Sequence, residues 1–477
     1  MTLIKILKWL ERSREFWFAL LISFLFFWLR LPSLFEPLWY GDEGIYQAIG
    51  NSLNNGKLLY REIFDNKPPL LYWLYSFFHS DQFTIRLASL IFGIFSIIFF
   101  FLLAKKLFKH NKNIAHFLAT SVFAVLYGLP ILEGNIANAE NFMLFPIIFA
   151  GFLIFDFAAL RPKFLIFTAG LLLGIAFLFK IVAIFDLLAF LIFCFIANFN
   201  VLKQQAKLFL IAVGFFLPIL AVGLFFFLNN TFTDFINAVF LANISYGFPF
   251  LFAKLILLGG FILYVFIKRK EISKTALFIL LWLAFSMFNA FFSQRPYAHY
   301  ILVLLPSLSL MMGLIIYEKK YQKIIGILSL IVLVIVIKHF NISNYKKNIS
   351  YYKNFINYIK GEKTTAVYQA FFDSNTPFDY EIARFIKPKI NKNDTIFVWG
   401  NNAQLYQMIG VIPSTKYIVA YQLSNHKNRT LDTKLEMEKI KPKFIVVMPY
   451  QEEMPFPLIG YFQKIEINKT AIYEKLF

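Results

Sequence analysis

The residues able to do chemistry gather in three polar stretches set between long apolar runs. The first, 37–81, holds Trp39-Tyr-Gly-Asp-Glu-Gly-Ile-Tyr46 and Asp65-Asn-Lys-Pro-Pro69. Asp42 and Glu43 stand just beyond an apolar run, and charged side chains so close to a membrane boundary mark a functional site by default. In a helix, Asp42 and Tyr46 share one face at i and i+4. A carboxylate beside apolar surface can act as a general base toward a hydroxyl; the same two acids would equally suit the cap of an interfacial amphipathic helix. Pro68 and Pro69 hold the chain extended and then permit a helix to start. Lys67 is thereby presented at the membrane surface, where it can neutralise a phosphate or simply snorkel among lipid headgroups.

The second stretch, Glu133-Gly-Asn-Ile-Ala-Asn-Ala-Glu-Asn141, carries two acids and three asparagines without a basic residue. A continuous helix would put Glu133 and Glu140 on one face, where they could position sugar hydroxyls. Two acids are a weak metal signal, so a divalent cation stays open and the metal unassigned. The third stretch is Ser293-Gln-Arg-Pro-Tyr-Ala-His-Tyr300. Arg295 and His299 could hold a phosphate there, the arginine bidentately; interfacial anchoring is the plainer role for the pair.

These stretches need elements to position them, and the composition says which. Hydrophobic residues make up 59% of the 477 and charged ones 16%, against about a quarter charged in a soluble domain. Apolar runs of about 20 residues recur, the length that crosses the bilayer as a helix. They do not alternate, which excludes a membrane β-barrel. Spans fall at about 16–36, 82–104, 114–132, 141–160, 163–179, 181–199, 207–228, 250–267, 275–292, 299–317 and 322–338. Lys180 alone divides 163–199 into two, and merging those halves would move the tail across the membrane.

Charge sets the orientation. With the N-terminus inside, Lys and Arg crowd the cytoplasmic loops (Lys105, Lys106, Lys268, Arg269 and Lys270 among them) while the opposite loops hold only Lys57, Arg61, Lys67, Lys180 and Arg295. That asymmetry follows the positive-inside rule. It also accounts for much of the net charge of +20, so nucleic-acid binding is not inferred. The basic N-terminus runs into a long apolar stretch with no small-residue cleavage site, which reads as an anchor rather than a removed signal. Cys194 is the one cysteine, so no intramolecular disulfide can form. Gly170 and Gly174 make a small-residue face suited to close helix packing inside the bundle.

The tail changes character. Thr395-Ile-Phe-Val-Trp399 and Lys443-Phe-Ile-Val-Val-Met448 read as strands, and Ala403 to Ile409 as a helix stopped by Gly410. Strands alternating with helices suggest a small α/β domain. The expected architecture is a polytopic α-helical membrane protein of about eleven transmembrane helices, residues 1–340, carrying an extracytoplasmic α/β domain, 341–477.

Taken together, the loops resemble the GT-C glycosyltransferases, and within them the bacterial relatives of protein O-mannosyltransferases and of the lipid A aminoarabinose transferase. The resemblance rests on Arg30, on Asp42-Glu43-x-x-Tyr46, on Asn66-Lys-Pro-Pro69, on Asn138-Ala-Glu140, on His299-Tyr300 and on Phe397-Val-Trp-Gly400. Gly44 departs from the alanine usual after the acidic pair. The resemblance implies sugar transfer from a polyprenyl-phosphate-linked donor, on the outer face of the cell membrane, to a lipid, glycan or protein acceptor. It implies Asp42 as catalytic base with Glu43 beside it, and Lys67, Arg295 and His299 at the donor phosphate. Sugar and acceptor contacts then fall on Tyr46, Asp65, Asn66, Asn138, Glu140 and Tyr297. The rival reading is a transporter or flippase for lipid-linked sugars, which would place ionisable groups near mid-membrane. Here most acids lie in loops, although Asp156 and Asp186 fall in or near spans.

Overall fold

The computed structural model describes residues 13–109, 114–157, 162–199, 201–244, 250–292, 297–318, 320, 322–340, 346–424, 426–451 and 453–476. Helix α1 (Arg14–Arg30) leads into the polar loop, which folds α2 (Gly41–Asn54) and α3 (Pro69–Phe77). Apolar helices follow: α4 (Gln82–Leu107), α5 (Ala115–Gly128), α6 (Ala139–Phe155), α7 (Lys163–Phe179), α8 (Ile184–Ala197) and α9 (Leu208–Leu228). Then come α10 (Leu251–Ile267), α11 (Lys274–Ala290), α12 (Tyr300–Tyr317) and α13 (Gln322–His339). The tail adds α14 (Lys346–Ile359), α15 (Thr376–Ile386), β1 (Ile396–Trp399), α16 (Gln404–Ile409), α17 (Lys427–Ile440), β2 (Phe444–Val447), β3 (Tyr461–Ile467) and β4 (Thr470–Lys475).

Each of the eleven apolar runs forms a helix. Lys180 lies extended at φ −155° and ends α7, so 163–199 is two helices rather than one. By length and composition, four helical stretches among the described residues could cross a membrane, 14–35, α4, α9 and α12, and seven shorter apolar helices run 10–17 residues. On α9, Phe209, Phe216 and Leu220 are 71%, 54% and 66% exposed. Large side chains so open to their surroundings suit lipid rather than water.

The chain divides into two compact units. One comprises the helical residues to Ser33, 87–224 and 246–350. Within it the small-residue face packs internally: a Cβ on Gly170 would meet the Ile211 carbonyl oxygen at 2.1 Å, and one on Gly174 the Phe215 carbonyl oxygen at 2.4 Å. The backbones of α7 and α9 thus touch where only glycine fits. Asp186 on α8 accepts a 2.7 Å hydrogen bond from the Trp282 indole on α11.

The other unit gathers 34–86, 225–245 and 351–477. The polar loop of the sequence therefore packs with the tail. Its sheet has the order β1-β2-β4-β3. β1 and β2 run parallel, Ile396 opposite Phe444 and Trp399 opposite Val447. All four residues of β1 are buried, as a strand covered on both faces requires. Gly410 ends α16 at φ +83°, the left-handed conformation that glycine adopts without a Cβ penalty. The expected strands and helix are present, and the β3–β4 hairpin is an addition that the sequence reading lacked.

Candidate active site

In the unit that contains the tail, α2 carries Asp42, Glu43 and Tyr46 on its first turns. The Tyr46 hydroxyl donates to Asp42 Oδ2 at 3.1 Å, as the i, i+4 spacing predicts. Lys67 sets its ammonium 3.7 Å from Asp42 Oδ2 and 3.7 Å from Asp65 Oδ2, and 4.8 Å from the centre of the Tyr46 ring. Asp42 keeps 35% of its side chain exposed, against 3% for Asp65. Asp65 accepts from the buried Tyr72 hydroxyl at 2.7 Å.

The segment before the prolines is fixed by its backbone. The Tyr60 hydroxyl donates to the Lys67 carbonyl oxygen at 2.7 Å, and the Lys67 N–H donates to the Tyr72 oxygen at 3.3 Å. Burial, with the Asp65 carboxylate nearby, holds both phenols well above their ordinary pKa, so they stay protonated donors. Pro68 is extended at ψ 159° and α3 begins at Pro69. Asn66 exchanges amide contacts with Asn243, whose Nδ2 donates to the Asn66 carbonyl oxygen at 2.8 Å. Asn243 is delivered by a π-helical turn, Asn237–Leu241.

Glu43 is placed differently from Asp42. Both its oxygens meet Arg86, from Nε at 3.1 Å and from Nη2 at 2.5 Å. Arg86 also bonds Glu36 through Nη1 at 2.9 Å, and both of these partners are fully buried. Glu36 accepts further from the Trp39 indole at 2.9 Å and from the Tyr351 hydroxyl at 2.5 Å.

A second cluster lies in the other unit. Glu133 does not continue a helix into Glu140: it sits in the left-handed region at φ 56°, closing the turn Pro130–Leu132, and α6 starts only at Ala139 with Asn138 as its buried N-cap residue. The shared helix face expected for the two acids is therefore absent. They meet through His299 instead, whose Nδ1 is 2.7 Å from Glu133 and Nε2 3.8 Å from Glu140. Glu140, 2% exposed, also pairs with Lys180, whose ammonium lies over the Tyr300 ring. Tyr297 stacks parallel on His299 and is 47% exposed. Arg295 lies outside the described residues. Among the described residues no three His, Cys, Asp or Glu side chains group closely enough to hold a metal ion.

Residues 66–226 match the dolichyl-phosphate-mannose-protein mannosyltransferase family. The chain resembles ArnT from Cupriavidus metallidurans, solved bound to undecaprenyl phosphate, with 15% identity, a TM-score of 0.55 and alignment of 95% of this chain to 96% of that one. This chain shares the fold of that ArnT. The apo structure of the same ArnT gives the same TM-score, 0.55, over 97% of its length. A weaker likeness, TM-score 0.48 at 13% identity, is to the Archaeoglobus fulgidus oligosaccharyltransferase, over 90% of this chain and 67% of that one. No curated protein matches the sequence.

Within this fold, the groups that the sequence reading lacks are Glu36, Arg86 and Lys180. Arg86 sits five residues into α4 and 43 positions from Glu43. No local spacing connects them. The one available signal was a fully charged side chain inside an otherwise apolar helix, which requires a buried partner. Lys180 gives the same kind of signal, although the sequence places it only as a helix break and an outer-loop cation.

Proposed function

We propose that this protein is a membrane glycosyltransferase that moves a sugar from a polyprenyl-phosphate-linked donor to an acceptor hydroxyl, with inversion, on the outer face of the cell membrane. The observation that carries the reading is the Asp42–Tyr46–Lys67 arrangement: a part-exposed carboxylate, held by a phenol, with an ammonium on a fixed backbone beside it. ArnT's undecaprenyl phosphate supports a lipid-phosphate donor for a chain of the same fold.

Asp42 takes the proton from the acceptor hydroxyl as its oxygen attacks the anomeric carbon. The bond from that carbon to the phosphate oxygen breaks on the opposite side, and polyprenyl phosphate leaves with its charge countered by Lys67. For Arg295, which lies outside the described residues, a donor-phosphate role rests on the sequence resemblance alone. Tyr46, Asp65 and Asn66 shape the sugar and acceptor side of this cluster. Glu43, with both oxygens on Arg86, positions α2 rather than touching substrate. His299, facing two carboxylates, is assigned with Lys180 to holding Glu140 in place, with Asn138 at the N-cap position of the helix that carries Glu140, and Tyr297 offers an aromatic face to sugar. The N-terminus is cytoplasmic and the tail extracytoplasmic in this reading.

The test follows release of polyprenyl phosphate from synthetic polyprenyl-phosphate sugars by purified protein, with a membrane extract as acceptor source. Release by wild type that falls by about 10²–10⁴ in folded Asp42→Asn supports the base role. Equal release by both removes it. No release with any donor, alongside donor flipping in reconstituted vesicles, would favour a transporter.

A further inference from the structure

The unit that holds Asp42 is built from chain segments far apart in sequence, and the contacts run along the whole polar loop. The Leu38 N–H donates to the Tyr380 hydroxyl at 2.9 Å. Lys57 Nζ donates to the Pro413 carbonyl oxygen at 2.8 Å. The Phe64 N–H donates to the Lys416 carbonyl oxygen at 2.9 Å, and Gln422 Nε2 to that of Phe64 at 3.1 Å. Asn51 on α2 bonds Gln407 on α16.

A close backbone approach falls two residues from Asp42. A Cβ on Gly44 would stand 2.4 Å from the Gln404 backbone nitrogen and 3.0 Å from the Gln404 Cα and the Ala403 carbonyl carbon. These are backbone atoms, so no side chain can swing aside. A Cβ on Gly41, one turn back, would meet only the Asn401 carbonyl oxygen at 3.6 Å, an ordinary contact. On its other side the same turn is held by Glu43 on Arg86, with Arg86 held by Glu36 and Glu36 by Tyr351 of the tail.

We infer that the tail is a positioning element of the active site: α16 against Gly44 on one side, and Tyr351 acting through Glu36, Arg86 and Glu43 on the other, together fix the turn that aims Asp42. Gly44, Gln404 and Tyr351 are positioning residues and touch no substrate. A displacement of about 1 Å at a reacting group can cost about 100-fold in rate, and a Cβ forced in at Gly44 demands a shift of that order.

This inference rests on Asp42 as base. The experiment uses the full chain in detergent, with turnover normalised to donor-binding sites counted by titration with labelled polyprenyl-phosphate sugar. Gly44→Ala is expected to lose about 100-fold in kcat with donor KM within about twofold, while Gly41→Ala stays near wild type. The pH–rate profile of Gly44→Ala keeps its shape and drops as a whole, as for a base present but misaimed. Tyr351→Phe is expected to lose about tenfold in kcat with KM unchanged. Wild-type kcat in folded Gly44→Ala overturns the inference. Should that variant fail to fold, Tyr351→Phe decides alone, and wild-type kcat there overturns it. Inactive Asp42→Asn with both positioning variants fully active sinks this inference alone; active Asp42→Asn sinks the base assignment beneath it.

Discussion

Arg86→Met tests whether the buried charge triad holds this unit together. The guanidinium is 0% exposed, as is Glu36, and Glu43 is 5% exposed. Methionine fills much of the same volume without charge, and leaves two carboxylates facing each other in a site sealed from water. Removing one partner of a buried pair costs about 3–5 kcal/mol, chiefly because the remaining charge is stranded. The Trp39 and Tyr351 bonds still support Glu36, so the loss should fall on Glu43 and the turn that carries Asp42. In a unit of about 200 residues, 1 kcal/mol shifts Tm by about 2–4 °C, which puts the expected fall at about 6–20 °C. Thermal unfolding in detergent measures it. Glu43→Gln added to Arg86→Met should recover part of the loss, because one stranded charge is then gone. A variant melting within about 2 °C of wild type would refute the reasoning.

Three further changes follow the same logic. Lys67→Met should lower kcat by about 10²–10³ through the lost counter-charge, with Lys67→Arg retaining part of the rate in the polyprenyl phosphate release assay. Lys180→Met strands Glu140, which is 2% exposed, and should cost about 3–5 kcal/mol, read as a lowered Tm that Glu140→Gln partly restores. Asp379 on α15 is pushed up to about 6 by burial, against the opposing hydrogen bonds from Asn402 and Gln404. A carboxyl raised in the folded state binds more protons folded than unfolded between about pH 4 and 6, so stability falls as pH rises through that window, by about 3 kcal/mol in all. Asp379→Asn should flatten that slope in pH-dependent melts, and an unchanged slope would assign it to other groups.

Local pattern made much of the architecture legible. Runs of apolar residues gave eleven helices, Lys180 gave the break between α7 and α8, and Pro68-Pro69 gave the start of α3, because each is decided by a few neighbours along the chain. The i, i+4 pair of Asp42 and Tyr46 was legible for the same reason. The Glu133–Glu140 spacing misled because it presumed a helix through Gly134 and Asn135, where the backbone turns left-handed at Glu133. The two acids are joined by an imidazole 166 positions from Glu133, which no periodicity can report.

Buried charge is where sequence and structure part most sharply, and for a physical reason. An ionised group leaves water only if its partner arrives with it, and the partner's place in the chain is free. Glu43 and Arg86 are 43 positions apart, and Glu36 and Tyr351 are 315 apart. In the sequence, Asp42 and Glu43 stand side by side in one acidic motif, and only the family resemblance singles out Asp42 as the base. Their surroundings separate them: the carboxylate that remains part-exposed beside a lysine can still meet a substrate, while its neighbour, closed onto a buried arginine, can only hold the turn. On the proposed function this pair divides into one reactant and one tether, and the depth of each side chain, rather than its position in the motif, is what supports that division.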